Sequence, residues 1–360
     1  MVTSLYFHIP FCTKKCPYCH FYVIPNRLPY HKILSESLAL EWERQLPLLS
    51  GKTVTSIYFG GGTPTLFSGI GPLLATIPRA PDCEITIEAN PEEISLPLLS
   101  NLKSLGINRL SLGVQSLDDR SLQTLERIHT AEKARQAIFD AQKAGFDNVS
   151  IDLMYDLPDQ TEESWRYTLD QLRDLPIHHL SLYNLTIEPH TAFHKRRVQT
   201  PVGELSLRLL TTALEKLEAI NLQRYEISAF AHPGHESRHN LGYWTARPFL
   251  GFGPSAFSYW EGERIRNIAN LNRYARELQE GKSPVDFREK LPYPANVKEL
   301  LAVRIRLREG VDLAQFALPP ETQVAIEKLK EQGLVDQEHN RLKLTERGML
   351  FYDTVATEII

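Results

Sequence analysis

The sequence is short of several things that would narrow its class. No run approaches the roughly 18 apolar residues a membrane span needs. Basic residues are in no excess: 40 Lys and Arg stand against 44 Asp and Glu, for a net charge of −4. A broad nucleic-acid surface is therefore not expected. The N-terminus, Met1-Val2-Thr3-Ser4-Leu5, shows no basic stretch leading an apolar one, so no signal peptide is expected and the cytoplasm is the expected compartment. Low-complexity tracts and solenoid-period repeats are missing. Cysteine is scarce at four residues, too few for a secreted disulfide scaffold.

Three of those cysteines, Cys12, Cys16 and Cys19, fall within eight residues, and Cys83 stands apart. In a reducing compartment a tight thiol cluster more often holds a metal. The chain has 360 residues, enough for about two domains, and its 42% hydrophobic and 23% charged content is that of a globular protein.

Short apolar strands alternate with amphipathic helical stretches over the first two thirds. Strands are expected at 5–9, 55–59, 84–89, 109–114, 149–154 and 179–185, with a seventh at 225–229. Helices are expected at 30–49, 95–105, 131–144, 162–175 and 204–220. Repeated strand–helix units imply parallel pairing with right-handed crossovers. The strands are nearly continuous apolar runs, as expected when both sheet faces are covered. The fold class is α/β: an incomplete (β/α)6 TIM-like barrel, residues 1–229, with its chemistry at the carboxyl ends of the strands. Residues 230–292 read as a connecting or lid region. Residues 293–360 read as a helical, winged-helix-like domain, with helices at 296–307, 320–332 and 345–357 and a small hairpin between 334 and 344. Mixed charge there argues for packing or partner contact rather than DNA binding.

The cysteines form C-x3-C-x2-C in the loop leaving the first strand. Thiolates suit iron–sulfur clusters or zinc. Three ligands are one short of closing a four-iron cluster, which leaves one iron open to a chelating small molecule. A zinc knuckle completed by His8 or His20 is the plainer alternative, but no second knuckle is present. Cys83, at the start of the third strand, reads as a buried small hydrophobe.

Four further features lie on the same scaffold. Gly60-Gly61-Gly62-Thr63-Pro64-Thr65 follows the second strand, where glycines permit close approach and backbone amides can bind polar groups. Glu88, Gln115 and Asp152 are polar side chains late in adjacent apolar strands, where a barrel builds its site. Any one of them alone would read as a satisfied core polar group. Arg127 follows the fourth strand and would otherwise read as a solvated helix arginine. His239-Asn240-Leu241-Gly242-Tyr243-Trp244 lies further on, open both to ligand contact and to a structural aromatic corner with a hydrogen-bonded histidine.

The C-x3-C-x2-C loop with Tyr18 before its last cysteine resembles that of radical S-adenosylmethionine (SAM) proteins. Tyr-x-His-Ile-Pro-Phe-Cys from Tyr6, the Gly-Gly-Gly-Thr-Pro-Thr turn, Gly113-Val114-Gln115-Ser116 and Asp152-Leu153-Met154-Tyr155-x-Leu-Pro-x-Gln-Thr resemble the coproporphyrinogen-oxidase-like branch. The resemblance implies a [4Fe-4S] cluster on Cys12, Cys16 and Cys19. It implies SAM contacts from Tyr6, Tyr18, Gly61, Gly62, Thr63, Glu88, Gln115, Arg127 and Asp152.

Within that branch the sequence is more similar to HemW-type haem chaperones than to oxygen-independent coproporphyrinogen III oxidases. The oxidases' N-terminal extension is not seen before Tyr6. Phe21 stands where oxidases carry a further cysteine. His239–Trp244 matches the H-N-x-x-Y-W signature of the chaperone type, and Leu250–Ala256 resembles its L-G-x-G-P-G-A segment.

This resemblance implies haem as a carried ligand, with His239, Tyr243 and Trp244 as its contacts. It also implies transfer to respiratory haemoproteins, an electron donor for the cluster, and a possible homodimer. The alternatives are a coproporphyrinogen III oxidase or another radical SAM enzyme; oxidase activity is not expected. Three positions depart from the pattern. His20 replaces an aspartate, and Asp156 and Ser255 each replace a glycine.

Overall fold

A computed structural model describes residues 2–360. Six parallel strands stand where the apolar runs place them: β1 (Val2–Ile9), β2 (Thr53–Gly61), β3 (Glu84–Ala89), β4 (Arg109–Gln115), β5 (Val149–Tyr155) and β6 (His179–Asn184). Each is followed by a helical crossover. These include α1 (Leu28–Gln45), α2 (Leu96–Ser104), α3 (Ala131–Lys143), α4 (Glu162–Asp170) and α5 (Glu204–Ala219). Caps explain several starts: Ser95, Thr130 and Thr161 each accept a backbone N–H from the first turn of the helix they precede.

The strands alternate more strictly than their composition suggests. Leu5, Phe7 and Ile9, Ile57 and Phe59, Ile85 and Ile87, and Leu110 and Leu112 lie in the apolar core. There Phe7 stacks between Phe59 and Phe252, with ring centres 5.1 and 4.8 Å away. Their neighbours in the chain are polar and line the concave side: Tyr6, Tyr58, Glu88, Arg109, Asp152 and Tyr183. The apolar runs therefore cover one face only, and the inside of the curve is polar.

The expected seventh strand at 225–229 is replaced by two short antiparallel ones, β7 (Gln223–Arg224) and β8 (Ala229–Ala231), with a turn between them. Residues 230–292 are more than a connection. They supply β9 (Phe249–Phe252), β10 (Phe257–Trp260), β11 (Glu263–Asn267) and β12 (Val285–Lys290), with helices α6 (Arg238–Trp244) and α7 (Leu271–Gln279). β9 pairs parallel with β1, so it is a seventh parallel strand on the far side of the first. The sheet runs β12-β11-β10-β9-β1-β2-β3-β4-β5-β6-β8-β7, open at both ends.

One buried carboxylate fixes this addition. Glu41 of α1 is fully buried and accepts hydrogen bonds from the Gly253 amide (2.8 Å), Asn267 Nδ2 (2.7 Å), Gln45 Nε2 (3.0 Å) and the Tyr274 hydroxyl. It thereby joins α1, the turn after β9, β11 and α7.

Residues 295–360 have a separate apolar core built from Leu301, Ile305, Ile326, Leu329, Leu342 and Val355. Its helices are α8 (Ala295–Arg304), α9 (Pro320–Glu331), α10 (Glu346–Leu350) and α11 (Tyr352–Ile359). Its small sheet adds a third strand, Val311–Asp312, to the expected hairpin. The helix expected at 345–357 breaks at Phe351. No described helix is long and apolar enough to cross a membrane.

Candidate functional site

A cavity of about 420 Å³ opens at the carboxyl ends of the parallel strands. The cysteine loop forms one wall. It is closed at its base by a short parallel pairing of Phe11–Cys12 with Ile24–Pro25. A tight turn brings the Cys19 amide to the Cys16 carbonyl, and the Phe193 amide bonds the Pro17 carbonyl from outside. Cys12, Cys16 and Cys19 are unpaired, partly buried, and all face the cavity. Burial, opposed by a contact from Thr63, pushes the Cys12 thiol up to about 11, and burial also raises Cys19. Such thiols keep their protons until a cation displaces them.

The opposite wall collects Gly61, Gly62, Thr63, Glu88, Gln115, Arg127 and Asp152, with Tyr18 beside the cysteines. The SAM contacts that the resemblance implies thus line one chamber, with a single exception. Tyr6 does not line it; its hydroxyl meets His8 Nδ1 at 3.1 Å and it lines a lower cavity.

Arg127 is the hub. One guanidinium nitrogen donates to Cys16 Sγ at 3.4 Å; the other donates to Asn90 Oδ1 (2.7 Å) and to the Gly113 carbonyl (2.8 Å). Its Nε is buried without a partner. An orphaned guanidinium N–H at the edge of this cavity fits a carboxylate ligand. Asn90 also donates to Thr63 Oγ1 at 2.9 Å, linking Arg127 to the glycine turn. Asn90 carried no motif of its own in the sequence reading.

The glycine segment works differently from the sequence expectation. Its amides are already spent: Gly61 N on Glu88 (3.0 Å), Gly62 N on the Ile9 carbonyl (2.9 Å) and Thr63 N on the Phe11 carbonyl (2.7 Å). What the missing side chains allow is close packing of this turn against Phe11 and His8. A Cβ at Gly62 would lie 2.5 Å from the Phe11 carbonyl oxygen, and one at Gly61 would lie 2.6 Å from the His8 ring. Gly61 also has φ +113°, a conformation closed to most side chains.

Two carboxylates face the cavity with perturbed acidity. Glu88 accepts from the Tyr58 hydroxyl (2.8 Å) and from Gly61 N, and burial pushes it up to about 7, helped by Asp152. Burial likewise raises Asp152 to about 6. Buried carboxylates held near neutrality are ready to ionise against a cation or to accept from hydroxyls.

The three departures are accommodated. Asp156 and Ser255 adopt φ +59° and +69°, the left-handed backbone that glycine takes without strain. Asp156 is tied by Asn184 and by Ser206 Oγ (2.5 Å). His20 is exposed, its ring 4.6 Å from that of Phe21 at the cavity mouth. His8, the other alternative zinc ligand, bonds the Tyr22 carbonyl at 2.9 Å. No group of three or more His, Cys, Asp or Glu converges in metal-binding geometry among the described residues. Cys83 is buried, as expected.

The expected haem contacts lie elsewhere. α6 packs inside the curve against β1 and β2. His239 is 1% exposed, and both ring nitrogens are engaged: Nδ1 with Ser56 Oγ (3.1 Å) and Nε2 with the Tyr243 hydroxyl (2.8 Å). Trp244 lies under Arg306. In this conformation the motif is the structural aromatic corner, not an open porphyrin face. Helix placement decided that, and the motif alone does not encode it.

The comparisons agree with the geometry. Residues 6–172 match the Radical SAM superfamily model and residues 294–351 match the HemN C-terminal domain. The structure of coproporphyrinogen III oxidase (HemN) from Escherichia coli superposes with a TM-score of 0.87 at 26% identity, covering 99% of this chain and 89% of that one. Fold and site define a radical SAM protein. The heme chaperone HemW of Bacillus subtilis is 32% identical over 98% of this chain and 97% of its own length. That of Escherichia coli is 32% identical over 98% and 96%. The chain belongs to the heme chaperone HemW family within the radical SAM superfamily.

Proposed function

We propose that Cys12, Cys16 and Cys19 hold a [4Fe-4S] cluster with SAM beside it, and that the chain binds haem and passes it to acceptor haemoproteins. The donor chemistry fits the group: three soft thiols line one cavity, and three thiolates would leave the fourth iron of a cluster without a protein ligand. When bound, the cluster supplies an open iron and a transferable electron, whose donor would be a separate reductant. Arg127 pairs the SAM carboxylate through its free Nε. Glu88 and Asp152 take the ammonium and ribose hydroxyls. Gly61 and Gly62 admit the methionine chain, and Tyr18 and Gln115 flank it.

The haem reading rests on full-length similarity to relatives named heme chaperones. It does not rest on His239, whose ring is occupied. A cytoplasmic site of action and cluster-linked dimerisation belong to the same proposal.

An anaerobic haem titration of wild type and His239→Ala, followed by transfer to an apo-haemoprotein, tests it. Saturable haem absorbance in both proteins and reconstitution of the acceptor are expected. Absence of saturable binding in the wild type overturns the reading.

The similarity to the oxidase structure sustains a second reading. Protoporphyrinogen formation from coproporphyrinogen III with SAM and reductant would establish it; none is expected.

A further inference from the structure

Beneath the cofactor cavity lies a second, polar chamber of about 210 Å³, between the strands and α6. Arg109 opens β4 and points into it. This arginine is 2% exposed, and its Nε has no hydrogen-bond partner. The nearby carboxylates do not bond it. Glu88 is committed to Tyr58 and Gly61, and Asp152 feels Arg109 only through space. Asn240, the second residue of the H-N-x-x-Y-W segment, lines the same chamber; its backbone N–H donates to Ser237 Oγ, and its side-chain amide has no protein partner. Ser111 adds a hydroxyl, while that of Ser181 is engaged with Asp152.

A buried guanidinium with an idle donor carries a cost unless an acceptor meets it. We propose that this chamber is a binding site for a small oxyanion of the carboxylate or carbonate class, held by Arg109 and Asn240. Its volume is too small for a tetrapyrrole, so the site is distinct from any cargo site. It also gives the H-N-x-x-Y-W helix a role: His239 and Tyr243 brace the floor, and Asn240 presents a donor. The inference is independent of haem transfer.

The test is a saturation-transfer NMR titration of the full chain with acetate, with bicarbonate as competitor. Saturable binding that depends on Arg109 is expected, separable from any acetate held at Arg127. Arg109→Gln should weaken it by about tenfold or more, the loss of a charge-assisted bond. Arg109→Lys should keep part of it, and Asn240→Ala should weaken it several-fold. Arg127→Gln, in the upper cavity, should leave it intact. Crystals soaked in bromide should show an anomalous peak beside the Arg109 guanidinium.

No saturable binding, an unchanged Arg109→Gln, or a loss that follows Arg127 instead would overturn the proposal, leaving hydration or an adventitious ion only. Should Arg109→Gln fail to fold, Arg109→Lys and Asn240→Ala decide by the same criterion.

Discussion

The Arg306 guanidinium lies 4.2 Å from the centre of the Trp244 ring and 4.8 Å from that of Tyr352. It also meets Glu226 at 3.1 Å, with that carboxylate almost wholly buried. One side chain thus fastens the C-terminal module to the helix that carries the family motif. Removing a buried ion-pair partner costs about 3 kcal/mol or more, and a desolvated cation–π contact contributes about 1–2 kcal/mol. Arg306→Met should therefore cost about 3 kcal/mol and Trp244→Leu about 1–2 kcal/mol in urea unfolding followed by circular dichroism. The double variant should lose less than the sum, because both changes remove the same contact. Additive losses would contradict the coupling.

The tightest point of the cofactor cavity is Gly62, whose Cβ would meet the Phe11 carbonyl oxygen at 2.5 Å. Backbone, not a flexible side chain, must yield there. Gly62→Ala should lower stability by about 1–3 kcal/mol and reduce iron retention through displacement of the cysteine loop. Iron analysis after anaerobic reconstitution checks this; wild-type retention would contradict it.

Ser255 gives the opposite expectation. It sits at φ +69° in the turn after β9, and its amide bonds the Ile268 carbonyl at 3.1 Å. Glycine adopts that backbone without strain, so Ser255→Gly should stabilise the protein by about 1 kcal/mol. Thermal unfolding of the variant measures it, and a lowered midpoint would contradict the strain argument.

SAM binding should depend on pH. Without ligand, burial holds the Glu88 carboxyl up at about 7 and that of Asp152 at about 6. The SAM cation favours both as carboxylates, so association should tighten as pH rises through 6 to 7 and then level, by up to about tenfold per unit for each group. Proton release in calorimetry should follow the same range, and Glu88→Gln should flatten its upper part. The folding sign is opposite. The unfolded Glu88 loses its proton near 4.5 while the folded one holds it, so this stability is full below 4.5 and lost as pH rises through about 7. An affinity flat across pH 6–8 would contradict the assignment.

The six expected strands were legible because apolar side chains mark every one of them. Their polar partners were harder to weigh. Arg109 reads as a strand opener until the curvature turns it inward. β9 was hidden: Phe249-Leu250-Gly251-Phe252 is short and glycine-broken, and its pairing with β1 is set by contacts some 245 residues apart in sequence. The lining of the upper cavity was readable residue by residue, because each candidate lies in a parallel strand or in the segment that follows one. Tyr6 lies one layer below the upper cavity, since strand alternation fixes facing but not depth. His239 shows the other limit: an H-N-x-x-Y-W string carries the same letters whether its helix opens to a ligand or packs inside the sheet.

Iron and sulfide analysis with electron paramagnetic resonance on oxygen-free protein, with and without SAM, tests the thiol assignment most directly. Wild type should hold about four irons and four sulfides per chain, and the reduced signal should change when SAM is added. Cys12→Ala, Cys16→Ala and Cys19→Ala should each lose that signal. An unchanged signal in all three variants, or zinc without sulfide in the wild type, would contradict it.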